Sequence, residues 1–84
     1  MQFRVEYISR PEPSPYVIVR QVEIGSFELG SAPRLDGIPI ARRIDQPRSM
    51  KPDGTPDLSM FAFQLLSSAD LTKLTVGQVL ELTS

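Results

Sequence analysis

Short stretches of this chain alternate apolar and polar residues with a period of two, and turn residues separate them. Phe3-Arg4-Val5-Glu6-Tyr7 predicts a half-buried strand with Phe3, Val5 and Tyr7 on one face and Ile8 marking its end. Tyr16–Ile24 predicts the longest strand. Its first part, Tyr16-Val17-Ile18-Val19, is apolar at consecutive positions and predicts cover on both faces. Its second part, Arg20-Gln21-Val22-Glu23-Ile24, alternates and opens one face to water. Gly25-Ser26 supplies a turn, and Phe27-Glu28-Leu29 reads as a further short strand ended by Gly30-Ser31.

Leu35-Asp36-Gly37-Ile38 carries an Asp-Gly hairpin signal, because both central residues of such a turn need positive φ. The returning strand places Ile38 and Ile40 on one face and extends through Ala41–Ile44. Pro39 lacks an N–H and predicts that this strand lies at an edge. Met60–Leu66 is apolar almost throughout and predicts a strand buried on both faces. Ser68–Leu74 then carries the signals of a helical turn: Ser67 or Ser68 as cap, Asp70 in the first turn, and Leu71 and Leu74 three apart. Val76-Gly77 turns the chain into a last strand over Gln78–Leu82.

Six or seven short strands with regular turn signals and one helical turn predict an all-β domain, a small closed or partly open barrel, rather than a βαβ fold. The 84 residues suffice for a single domain spanning 1–84. Such a domain buries only roughly 60% of its unfolded surface. No cysteine staples it, so the core comes from Val, Ile, Leu and the four Phe. The start of the chain lacks a signal-peptide pattern, and no apolar run approaches the roughly 20 residues that span a bilayer, so the expected location is cytoplasmic.

Two segments read as loops. Arg10–Pro15 has three prolines in five positions, a stiff connector whose functional reading is a ligand for aromatic grooves. The stretch from Asp45 to Asp57 holds a Pro52-Asp53-Gly54 turn and reads as the chain's true loop. Arg42, Arg43, Arg48 and Lys51 lie at and within its start and are the candidate partner-binding residues, although Asp45, Asp53 and Asp57 are interspersed. The formal net charge of -1 argues against broad electrostatic binding to nucleic acid or anionic membrane.

The order of these motifs resembles the second, β-barrel domain of translational GTPases of the elongation factor Tu type. In that family an F-x-V strand opens the barrel and a V-x-x-G-x-V strand comes after it. Paired glycines then turn the chain, an apolar strand and an x-x-D-(I/L) turn come next, and x-x-G-x-V-L closes. The matching residues are Phe3-Arg4-Val5, Val19 to Gly30 with Gly25 and Gly30 as the pair, Phe61 to Leu66, Ser68-Ala69-Asp70-Leu71, and Val76-Gly77-Gln78-Val79-Leu80. The resemblance covers nearly the whole chain and implies a translation-factor-type barrel that contacts RNA or protein. The chain departs from the family in its proline-rich first loop and in Arg20, where the family has glycine. No G-x-x-x-x-G-K-[ST] occurs, so no GTPase phosphate cradle and no nucleotide partner are expected.

Catalysis has little to work with. Without His or Cys, the commonest base and the best nucleophile are missing. Asp45, Asp53 and Asp57 offer oxygen ligands of the kind Ca²⁺ or Mg²⁺ prefer, but their spacing matches no EF-hand and the neighbouring Arg and Lys oppose a cation. No catalytic, metal or cofactor residue is expected. Tyr7 and Tyr16 are conceivable stacking platforms, against the plainer reading of two core aromatics. The expected function is a non-catalytic binding module for a protein or RNA partner. The alternative is an assembly subunit that pairs with a second copy or another chain through the Ile38-Pro39-Ile40 edge; a small-ligand site or a minimal enzyme ranks below both.

Overall fold

A computed structural model describes residues 1–44, 52–54 and 59–83. Six strands form a closed antiparallel barrel, β1 (Gln2–Ile8), β2 (Tyr16–Gln21), β3 (Arg34–Leu35), β4 (Ile38–Ile44), β5 (Met60–Leu65) and β6 (Val79–Thr83), in the spatial order β1-β2-β5-β4-β3-β6. A 3₁₀ helix, Ser68–Lys73, links β5 to β6. The expected all-β barrel with one helical turn is therefore the observed fold. Among the described residues no helix is long and apolar enough to cross a membrane.

The core obeys the inward parity of the strands. Phe3 and Val5 of β1, Val17 and Val19 of β2, Phe61 and Phe63 of β5, Ile38 and Ile40 of β4, Leu35 of β3 and Leu80 of β6 are buried. Ala62 is also buried on β5, so this strand is covered on both faces over its middle, as its apolar run predicts. Phe3, Phe27, Phe61 and Phe63 meet edge to face with ring centroids 4.9–6.2 Å apart, the arrangement the ring quadrupole favours.

Local signals explain the joints. Asp36 (φ 48°) and Gly37 (φ 83°) both adopt positive φ, the backbone of a type I′ hairpin turn between β3 and β4. Ser67 caps the 3₁₀ helix by accepting the Ala69 N–H at 3.2 Å, and Leu71 and Leu74 drop into the core from its end. Buried Asp70 accepts from Lys73 Nζ at 2.9 Å. The proline-rich segment is a connector anchored at both ends. Ser9 Oγ accepts the Tyr16 N–H at 2.8 Å, and the Pro15 carbonyl accepts the Leu65 N–H at 3.0 Å.

Four expectations are corrected. Tyr7 does not share the inward face of Phe3 and Val5. Val5 pairs with Val19 and Tyr7 with Ile18, so Glu6 is an extra residue in β1; this bulge turns Tyr7 outward, 49% exposed, and leaves Ile8 half-buried. The long strand stops at Gln21 rather than Ile24. Gln21 continues the inward parity of Val17 and Val19, and its Nε2 donates to the Gly25 carbonyl at 2.7 Å, which ends the ladder and leaves Val22 and Ile24 exposed. Phe27-Glu28-Leu29 forms no strand, yet Phe27 and Leu29 pack against the core. The β4 strand is not an edge, because β5 and β3 flank it. The Ile40 N–H donates to the Pro33 carbonyl on the β3 side, so the nitrogen of the preceding Pro39 faces the opposite way, where pairing with β5 begins only at Ile40.

Candidate functional site

The short β3 determines where the barrel is accessible. β3 is two residues long, and it pairs with β4 only at Arg34↔Pro39 and Leu35↔Ile38. Beyond Ile40, β5 is the one strand among the described residues that pairs with residues 42–44. Residues 29–33 form no strand, the Pro33 carbonyl still accepts the Ile40 N–H, and these residues and β4 line a groove of about 560 Å³. Leu29, Pro33, Pro39 and Leu66 give it apolar walls, and Arg34, Arg42 and Arg43 border it.

Each arginine is placed by a separate local cause. Arg34 stands in β3 before the hairpin turn, and its Nη1 donates to the Gly37 carbonyl at 3.2 Å. Ala41 is an extra residue in β4, since Ile40 pairs with Leu65 and Arg42 with Gln64. That bulge resets the parity of the strand beyond it. Arg42 then reaches over the outer face, where its Nε donates to Gln64 Oε1 at 2.7 Å. Arg43 takes the opposite side. Its guanidinium lies 4.8 Å from the Phe61 ring centroid and 5.5 Å from that of Phe27, a cation–π contact at the end of the core. Among the described residues no carboxylate pairs with Arg34, Arg42 or Arg43, and no Asp or Glu lines the groove. Among the described residues the charges that border the groove are therefore all positive, on a chain whose net charge is -1.

Arg42 and Arg43 thus flank one groove from opposite faces of β4. Arg48, Lys51 and most of the Asp45–Asp57 stretch lie outside the described residues, which include only the Pro52-Asp53-Gly54 turn, with Gly54 at φ 87°. Arg34, Leu29 and Leu66 complete the site, and the sequence pattern does not single them out. The available signal for Arg34 is its position one residue before the last strand residue of an Asp-Gly hairpin, where an outward side chain is expected. Leu66 is 67% exposed, although its sequence context is a buried strand.

A second surface lies across the barrel on β1 and β2. The Tyr7 and Tyr16 rings sit 6.1 Å apart at 39°. Close by, Glu6 Oε1 accepts from Arg4 Nη2 and from Arg20 Nε, each at 3.0 Å. The Arg4 hydrogen bond, with that of Arg20, holds the Glu6 carboxyl below its ordinary value of 4.5 against the opposing effect of burial. Among the described residues no group of His, Cys, Asp or Glu is arranged to hold a metal ion.

No family model matches the chain, and no curated protein and no solved structure matches it.

Proposed function

We propose that this barrel is a non-catalytic binding module whose groove beside β4 takes an anionic protein or RNA partner. One observation carries the reading: three arginines border a partly apolar groove that contains no carboxylate among the described residues. An arginine offers planar, multiple donors that match carboxylate and phosphate oxygens, and among the described residues no carboxylate takes up that charge ahead of a partner. Apolar walls add contact area that water gives up on binding. The motif resemblance to the second domain of elongation factor Tu-type GTPases favours a role in translation, where both kinds of partner are present.

The test compares partners retrieved from native lysate by the wild-type chain and by Arg34→Gln/Arg42→Gln, with and without ribonuclease. The expected result is a partner set present with the wild type and depleted with the variant. Equal recovery by both proteins would overturn the groove as the binding site.

Among the described residues no strand pairs with 41–44 on the β3 side, which also supports the assembly reading. Ile38, Pro39 and Ile40 are already paired within the barrel, so an assembly contact would use residues 41–44 instead. Light scattering over a range of concentrations separates the two: a constant monomer mass excludes self-assembly.

A further inference from the structure

The groove's border is a strand edge as well as a row of charges. Among the described residues the last backbone hydrogen bond on the β3 side of β4 is the Ile40 N–H to the Pro33 carbonyl at 3.0 Å, and past it Ala41, Arg42 and Arg43 line the groove and residues 41–44 have no neighbouring strand on that side. Such an edge is a template for an extended peptide, which gains affinity from main-chain hydrogen bonds and specificity from alternate side chains. We propose that the groove accepts an extended acidic segment of a partner protein as an added strand along β4. This inference rests on the groove being the binding site and specifies its occupant.

The two sides of β4 set the chemistry of that occupant. Side chains of an added strand alternate between faces with a period of two. On the outer side they meet Arg42 and, beyond the hairpin, Arg34, so carboxylates belong at alternate positions. At the intervening positions they turn toward Leu29 and Pro33, where apolar side chains fit.

Two other occupants are disfavoured by what surrounds the edge. Single-stranded RNA binds through aromatic platforms on which bases stack. The aromatic pair of exposed Tyr7 and half-buried Tyr16 is on β1 and β2, and β5 separates β2 from β4. The rings nearest the groove, Phe27 and Phe61, are covered by Arg43. A second copy pairing edge to edge would bring the Arg42-Arg43 pair of one chain against the same pair of the other, and like charges across a strand pair are destabilising.

The experiment selects ligands for the wild-type protein from a random ten-residue peptide library and, in parallel, from a random single-stranded RNA pool. The expected result is enrichment of peptides with Asp or Glu at alternate positions and apolar residues between them. A synthetic winner should bind at least tenfold more weakly to Arg34→Glu/Arg42→Glu and should shift the backbone amide resonances of residues 41–44. Arg34→Gln/Arg42→Gln, expected to lose several-fold, serves where the charge reversal perturbs the circular dichroism spectrum. Enriched peptides without acidic residues, binding indifferent to the arginines, or amide shifts confined to β1 and β2 would each overturn the proposal. Enrichment of RNA alone, through the same arginines, would overturn the peptide occupant and leave the groove as the binding site. Failure of both pools would overturn the occupant and the groove together.

Discussion

The two sides of the barrel are built on different terms. On one side β1, β2 and β5 pair over five positions at each junction, and their inward residues meet in a cluster of edge-to-face phenylalanines. On the other side β3 contributes two residues, and beyond it the chain makes a hairpin turn and then a bulge that borders the groove. The first side holds its backbone hydrogen bonds internally and buries its inward side chains. The second closes the barrel with only two pairings from β3 to β4 and two from β3 to β6, and it leaves arginines and strand edge at the surface. Stability is concentrated on one side and accessibility on the other.

The sharpest way to break this contrast is to truncate a large apolar side chain on each side. Phe63 is fully buried among aromatic neighbours, so Phe63→Ala should cost about 3–5 kcal/mol. That is close to the whole stability of a domain this size, roughly 5 kcal/mol. Leu66→Ala, at the groove wall, should move stability by no more than about 0.5 kcal/mol. Urea denaturation of both variants measures the pair, and a Leu66→Ala loss rivalling that of Phe63→Ala would mean that the groove is part of the core.

Next in size is the turn that builds the open side. A Cβ on Gly37 would meet nothing within 4 Å, so the cost of Gly37→Ala comes from the backbone at φ 83° alone, about 1–2 kcal/mol. Gly37→Asn should recover much of that loss, since Asn tolerates this conformation. Equal losses for Ala and Asn in thermal melts would point to a cause other than handedness.

Arg43 and Arg34 separate the structural arginine from the accessible one. Arg43→Ala removes the cation over Phe61 and Phe27 and should cost about 0.5–1 kcal/mol. Arg34→Ala, at an exposed side chain that donates to a turn carbonyl, should fall below that range in the same urea titration. The reverse order would show that the groove, not the core end, relies on its cation.

The smallest expected effect concerns the outer face of the well-paired side. Glu6 is held below its ordinary value of 4.5 by Arg4 and Arg20, so its ionised form is favoured in the folded state. Its stabilisation is full above the unfolded value and is lost as pH falls through the lower folded one. The melting-temperature gap between wild type and Glu6→Gln should therefore be widest near neutral pH and should narrow below pH 4.5. A gap that stays constant across the acid range would show that the carboxylate is not the origin of the difference.

The parts legible in the sequence are those set by local chemistry. Asp36-Gly37 dictates its turn through backbone sterics, Ser67 caps through its own oxygen, and the apolar run into β5 has no way to sit except in the core. The parts that misled depend on contacts that the alternation of apolar and polar residues does not encode. Val22 and Ile24 continue an apolar alternation, but their strand ends where Gln21 turns to the Gly25 carbonyl, a bond the pattern does not encode. Phe27 and Leu29 keep their inward parity without a strand to pair with. Arg42 and Arg43 read as one cluster because they are adjacent, whereas adjacency in a strand sends them to opposite faces. That they border one groove depends on Ala41, a small apolar residue whose role as a bulge emerges only in the register with β5.

The bulges at Glu6 and Ala41 have a consequence for how this surface would change over time. Each is a single added residue, and each decides which of the later side chains is hidden and which is displayed. Deleting the extra residue itself would bring Tyr7 directly after Val5, or Arg42 directly after Ile40, still opposite Ile18 or Gln64, so the displayed faces would stay and only the bulge would go. For descendants of this chain, loss of one codon at either position would leave the molecular face in place, a tolerance that a strand without a spare residue lacks.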